Sequence, residues 1–388
     1  MTGPREDSAP PGTDPLDFRL DRVRSEAPSR QSAWPGSRLA LGLSPTPLPW
    51  LLLPIGIALG PQGLRLISPS ILSFVDPVVS VALAALGVLI GLGLDVRRPG
   101  EARLFGAASL EGVATILLVG AGVLLVGRVQ PLPDLSIWPI ALLAGICAAT
   151  SSTAPGAEPG GARAIVARVG DLDDVLPIVL GGAALALIRE ASPGGAAWIG
   201  VQAVGLALAV AYAGWLLVAQ SSSDAEQRVF IVGTILLLGG IAAFLSLSAL
   251  LAGLVAGMLW SAIGGDARDS IARDVGHMQH PLVVLVLLIA GARVGFSPSL
   301  GAIVLAYLVL RTIAKLAGGQ IVRRMVGGGL PRHLGLHLLS PGVIAVAFAL
   351  NVTLTGGAFA DPILTIAVVG SLGSELLSLI VRAAEPSA

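Results

Sequence analysis

The sequence has little charge, one cysteine and one lysine. Asp, Glu, Lys and Arg make up 12% of its 388 residues, while 54% are apolar. Soluble domains carry about 25% charge. A chain of mean hydropathy +0.85 has too few polar groups to cover a soluble surface, so the composition predicts a polytopic membrane protein. The single cysteine, Cys147, excludes an internal disulfide and lacks the company a metal site needs. His277 and His280 stand three residues apart, short of the ligand count of a metal site. Formal net charge is zero, which gives no footprint for nucleic acid. No cofactor is expected, and the surroundings implied are membrane lipid.

Residues 1–45 are rich in Pro, Ser, Arg and Asp and have no apolar periodicity, which predicts a disordered tail. It is not a signal peptide, because the first long apolar run begins near Pro47. Residues 46–388 form the membrane domain. Its apolar runs fall at 47–60, 77–94, 103–127, 137–156, 165–188, 196–219, 228–244, 246–263, 280–296, 299–322, 333–354 and 360–381. They predict an all-α protein of about twelve spans. The first is short against the roughly 20 residues a span wants. The seventh and eighth touch, so a tight turn is expected near Leu245.

Arginine placement supports the count. With the N-terminal tail in the cytoplasm, twelve arginines fall in cytoplasmic segments outside the tail. Only Arg65, Arg128, Arg189 and Arg293 fall outside the membrane on the other face. That is the positive-inside bias, and it puts both termini in the cytoplasm of a cell inner or plasma membrane. Trp50, Trp138, Trp198, Trp215 and Trp260 fall near run ends, as interfacial aromatics do.

Two runs are interrupted alike. The fourth carries "ATSSTAPG" (149–156) and the eleventh "LLSPGVIAV" (338–346). Both mix hydroxyls, Pro and Gly. Paired interruptions in two halves of a membrane protein fit an inverted-repeat transporter with its site near the midplane. They also fit two Pro-kinked packing helices.

The one lysine, Lys315, lies inside the tenth run. Lysine can lose its proton when buried and arginine does not. An intramembrane lysine marks a functional site, unless its stem snorkels to the headgroups. Arg311, one turn earlier, reads as half of a structural ion pair with either Glu111 or Glu375.

The fifth run begins with "GDLDD" (170–174). One reading makes Asp171 the cap of a helix starting at Leu172, with the acids at the surface. The other starts the helix near Ile165 and sinks Asp173 and Asp174 about 12 Å into the bilayer. One charge there costs roughly 2.5–3.5 kcal/mol, so a proton, a metal ion or Lys315 must compensate. Pro177 has no N–H, which frees the Asp173 carbonyl to ligate a hard cation. A buried carboxylate pair beside a lysine can hold either a cation or a proton, and exchange of the two at one site is antiport.

At these residues the chain resembles the monovalent cation:proton antiporter superfamily. The matching stretches are "GIALGPQGLRLIS" (56–68), "LGVLIGLGLDVR" (86–97), "SSTA" (151–154), "DDV" (173–175), "LSALLAGLVAGMLW" (247–260) and "KLAGG" (315–319), in family order. The resemblance implies a 12- or 13-helix inverted-repeat fold and a homodimer. Spans 1, 2 and 7–9 would make the dimerisation panel, and spans 3–5 and 10–12 the moving core. It implies that Asp174 binds the monovalent cation, that Asp173 pairs with Lys315, and that Thr150 and Ser151 add ligands. The Asp pair with Lys resembles the electrogenic branch. The Arg-Gly-Glu of potassium-type relatives is missing from the eleventh span, and no nucleotide-binding regulatory domain is expected in this chain, which leaves sodium and potassium both open. Two alternatives share the fold: a sodium-coupled organic-anion symporter, which wants a roomy polar cavity, and a transport-dead scaffold or ion sensor. An intramembrane aspartyl protease needs Gly-x-Gly-Asp, and "GLGLD" (91–95) has one residue too many. No enzymatic activity is expected.

Overall fold

The computed structural model describes residues 48–94, 100–130, 135–152, 162–190, 192–327, 330 and 334–384. The tail at 1–45, Arg97, Arg98, Arg332 and the end of the fourth-run interruption, 153–156, lie outside them. Every described element is helical. They are α1 (Leu48–Leu59), α2 (Pro69–Gly93), α3 (Glu101–Val129), α4 (Ile137–Ala149), α5 (Ala162–Leu172), α6 (Val175–Arg189) and α7 (Pro193–Gln220). After them come α8 (Asp224–Phe244), α9 (Ala249–Ile263), α10 (Gly265–Arg293), α11 (Gly301–Val326), α12 (Leu334–His337), α13 (Val343–Thr355) and α14 (Ala360–Ala384). Seven helices are long and apolar enough to cross a membrane, and four shorter ones are also apolar. The chain is an all-α, multi-pass membrane protein.

Each expected apolar run overlaps an observed helix, but two helices start well before their runs. Ser68 caps α2, accepting from the Ile71 N–H at 3.3 Å, and Pro69 occupies the first turn. The helix therefore starts eight residues before Pro77, which lies inside it. The charged stretch before Pro281 likewise belongs to α10, which begins at Gly265. Hydropathy marks the apolar part of a helix and is blind to a polar turn that continues it.

The turn near Leu245 is present. Ser246 takes a positive φ of 51°, and Ser248 caps α9 through the Leu251 N–H at 3.2 Å. Glycine then sets how near α9 comes to α2. Gly87 and Gly91 on α2 face Gly253 and Gly257 on α9, and a Cβ at any of the four would strike backbone of the opposite helix. This small-xxx-small spacing on both partners is the general device for close helix contact in lipid.

α4 and α13 are buried almost all round, as helices at the centre of a bundle are. α7 and α8 expose Trp198, Val201, Leu236 and Phe244, the apolar outer face a membrane protein turns to lipid. Trp260 departs from the interfacial expectation. It is buried, and its Nε1–H donates to the Ala211 carbonyl at 2.8 Å, tying α9 to α7.

Candidate functional site

Three helical runs break at one place. α4 stops at Ala149, and Thr150 continues as extended chain with φ −71° and ψ 146°. α12 and α13 are separated by residues 338–342, with Gly342 also extended. The two extended pieces meet: the Ser152 N–H donates to the Ser340 carbonyl at 3.0 Å. The third break separates α5 from α6, and Asp173 and Asp174 sit in it.

The cap reading of the acids is overturned. Asp171 is inside α5, and Asp173 and Asp174 are 1% and 4% exposed. The uninterrupted fifth span is corrected as well, since the acids occupy a turn between two helices. Pro177 lies in the first turn of α6, where a backbone N–H has no intrahelical partner in any case.

The two acids differ sharply. Asp173 receives the Ser151 N–H at 3.3 Å, the Ser151 hydroxyl, and Lys315 Nζ at 3.3 Å. Asp174 occupies the N-cap position of α6, but its side chain makes no cap hydrogen bond. Its buried Oδ1 has no hydrogen-bond partner. That oxygen points toward the eleventh-span break, where a Cβ on Gly342 would sit 3.5 Å from it.

Lys315 does not snorkel. It is 0% exposed, and Nζ lies 3.3 Å from Asp173 Oδ2 and 3.1 Å from Glu111 Oε1. It also donates to the Ala149 carbonyl, one of those left free where α4 stops. Arg311 is not in the ion pair that the sequence suggested. Its Nη1 donates to the Leu339 carbonyl at 2.7 Å and its Nη2 to the Thr150 carbonyl at 3.0 Å. One guanidinium thus holds both extended breaks. Glu111 is engaged with Lys315, and Glu375 accepts from the Ser340 hydroxyl at 2.6 Å. Thr150 turns its hydroxyl back to the Cys147 carbonyl at 3.2 Å, and Ser151 is bonded to Asp173.

The structure therefore gathers Asp173, Asp174, Thr150, Ser151, Lys315, Arg311 and Glu111 about the breaks, with Glu375 reaching them through Ser340. Sequence reasoning missed Ser340 and Gly342 as individual contacts, although both lie in the interruption it singled out. It also missed Asn351. This buried side chain on α13 accepts from the Ala249 N–H at 3.0 Å and donates to Ser248 Oγ at 3.1 Å, closing the start of α9. No periodicity marks a polar residue whose partner is a distant helix end.

A cavity of about 870 Å³ lies between α6, α7 and α9. Val179, Leu187, Ile199, Leu251 and Phe359 are among its mostly apolar lining, with Arg189 and Ser248 also on its wall. Neither Asp173 nor Asp174 lines it. It has room for an organic anion but not the polar lining a symporter would want.

The fold is similar to that of the sodium proton antiporter MjNhaP1 from Methanocaldococcus jannaschii. The match covers 86% of this chain and 89% of that one, at a TM-score of 0.58 and 16% sequence identity. The two chains share a fold. No family model matches the sequence, and no curated protein matches it.

Proposed function

We propose that this chain is a secondary active monovalent cation/proton antiporter, with sodium or potassium and protons competing at the Asp173–Asp174 pair. The observation that carries the reading is Asp174 Oδ1, a buried carboxylate oxygen with no partner, beside an acid whose oxygens are already engaged. A buried carboxylate is stable only with compensation. Asp173 has Lys315. Asp174 has an open position that a proton or a bare cation fills, and the two exclude each other there. The fold shared with a protein described as a sodium proton antiporter supports the same reading.

Asp174 is then the cation ligand, with the carbonyls of the extended breaks and the Thr150–Ser151 segment completing the shell. Asp173 and Lys315 form the ion pair that tunes it. Arg311 fixes both breaks so that their carbonyls stay in place when the site changes sides. The two interrupted spans act as halves of an inverted repeat, and spans 3–5 and 10–12 move as one core against spans 1, 2 and 7–9 of a homodimer. The protein sits in the inner or plasma membrane with both termini cytoplasmic.

The test uses purified full-length protein in liposomes with a trapped pH dye. After a pH gradient is imposed, sodium or potassium should release it in the wild type and not in Asp174→Asn. Equal responses from both proteins would overturn the site. No response to either ion from pH 6 to 9 would favour the symporter or the transport-dead reading.

A further inference from the structure

The proposed exchange requires spans 3–5 and 10–12 to shift against spans 1, 2 and 7–9. Two side chains from the first set finish the helix ends that meet at the α8–α9 turn of the second. Asn351, on α13 of the eleventh span, is 1% exposed. Its Oδ1 accepts from the Ala249 N–H at 3.0 Å, one of the donors a helix start leaves without an intrahelical partner. Its Nδ2 donates to Ser248 Oγ at 3.1 Å, the same oxygen that caps α9 through the Leu251 N–H. Arg189, in the last turn of α6 in the fifth span, serves the other helix end. Its Nη1 donates to the carbonyls of Leu245 and Ser246, each at 3.0 Å. Leu245 is the C-cap of α8, where a cation also suits the helix dipole.

Local residues could have finished both ends, as Ser248 does in part. Here the remaining caps come instead from two helices distant in sequence, both in the set of spans that must move. We propose that Asn351 and Arg189 form a latch that holds the two bodies in the arrangement described and opens in every transport cycle. The proposal rests on the antiport reading and on its division of the spans. Sliding α13 and α6 past the turn by about one helical turn, roughly 5.4 Å, would separate all of these hydrogen bonds. The Ala249 N–H and the Leu245 carbonyl would then lack partners in apolar surroundings, and that cost favours the latched arrangement.

The cavity beside the turn adds to the argument. Arg189, Ser246 and Ser248 stand on its wall, so these bonds carry a contact that apolar packing does not fill. Neither Asn351 nor Arg189 is among the groups at the helix breaks. Both are positioning residues, acting on where the site stands and not on the ion.

The test reads positions independently of transport. Spin labels are placed at Leu236→Cys on α8 and Leu305→Cys on α11, both exposed side chains; the native Cys147 is buried. Purified full-length protein in nanodiscs, diluted with unlabelled copies so that distances are read within one chain, is measured by pulsed electron paramagnetic resonance. The latched protein should give one dominant distance. Asn351→Ala should raise the share of a second distance relative to it by about tenfold, and Arg189→Gln by about threefold, as expected for a buried and an exposed hydrogen-bond partner. Arg189→Gln, at an exposed side chain, carries the test if Asn351→Ala does not fold. A merely structural role would lower the melting temperature and leave the distances as in the parent, and that result in the folded variants would overturn the latch even where cation-driven exchange is intact. Shifted distances in a protein without cation-driven exchange would keep the latch between the two bodies and overturn the antiport reading alone.

Discussion

The molecule brings backbone against backbone in two places by opposite means. Along the α2–α9 seam it removes side chains: Gly87, Gly91, Gly253 and Gly257 let two intact helices touch. At the crossing of the breaks it removes helix: Thr150 and Gly342 run extended, and the freed carbonyls of Ala149, Thr150 and Leu339 receive Lys315 and Arg311. Around these four glycines both helices stay intact, so the contact itself needs no charge. The crossing has carbonyls to spare in an apolar interior, where unsatisfied groups are costly, so it needs cations, and the cations need acids. The proposed ion site lies where the second solution was used. Disturbing the seam should therefore cost the fold, and disturbing the crossing should cost transport.

The largest effect is expected at the seam. Gly253→Leu drives a side chain into the Ala84 backbone, which cannot move aside. We predict no monodisperse protein on detergent size-exclusion chromatography; a wild-type profile would show that the seam is looser than described. Next comes Lys315→Ala. It leaves Asp173 and Glu111 as neighbouring buried acids without their cation, and breaking a buried pair costs about 3–5 kcal/mol. Its melting temperature should fall clearly, and a value equal to wild type would mean that the lysine is not a structural counter-charge. Arg311→Lys should be milder. A lysine cannot span the Leu339 and Thr150 carbonyls as a guanidinium does, and losing one charge-assisted hydrogen bond costs roughly 1.5–3 kcal/mol. Exchange should slow in this variant, and unchanged rates would remove Arg311 from the account. The smallest effect on stability is expected for Asp174→Asn, which removes an uncompensated charge. It should melt at or above the wild-type temperature while losing exchange altogether.

The dependence on pH sharpens the same contrast. If protons and cation compete at Asp174, each proton displaced raises the cation concentration for half-maximal exchange by about tenfold per unit of acidification. Lysis-free liposome assays at several pH values should show that slope, and a half-maximal concentration that does not move with pH would exclude competition. The four glycines of the seam carry no titratable group and should contribute nothing to it.

Much of the architecture was legible in the sequence, and the limits have physical reasons. Hydropathy located every apolar run, because lipid-facing and core-facing helices are both apolar. It missed the first turns of α2 and the polar start of α10, where helix continues without apolarity. The "SSTA" and "SPG" interruptions marked both extended breaks, since Pro and clustered hydroxyls do not sit easily in a buried helix. The break at Asp173–Asp174 carries no such mark, and the run through it was read as continuous. The isolation of Lys315 as the one lysine pointed to the site. Which acid it meets did not follow, because Glu111 lies 204 positions away and only the helix packing brings it near. Arg311 shows the same limit: its partners are carbonyls, which every residue carries and no sequence distinguishes. The Trp260 reading failed because nearness to a run end does not say which side of a helix faces lipid.

The central claim is that Asp174 exchanges a cation for a proton. The most direct measurement is titration calorimetry of the purified protein with sodium and with potassium, in two buffers of different ionisation enthalpy. The account predicts that the wild type binds one of the ions and releases protons as it does so. It also predicts that Asp174→Asn, equally well folded, shows neither heat nor proton release. Cation binding by Asp174→Asn with the same proton release as wild type would contradict it.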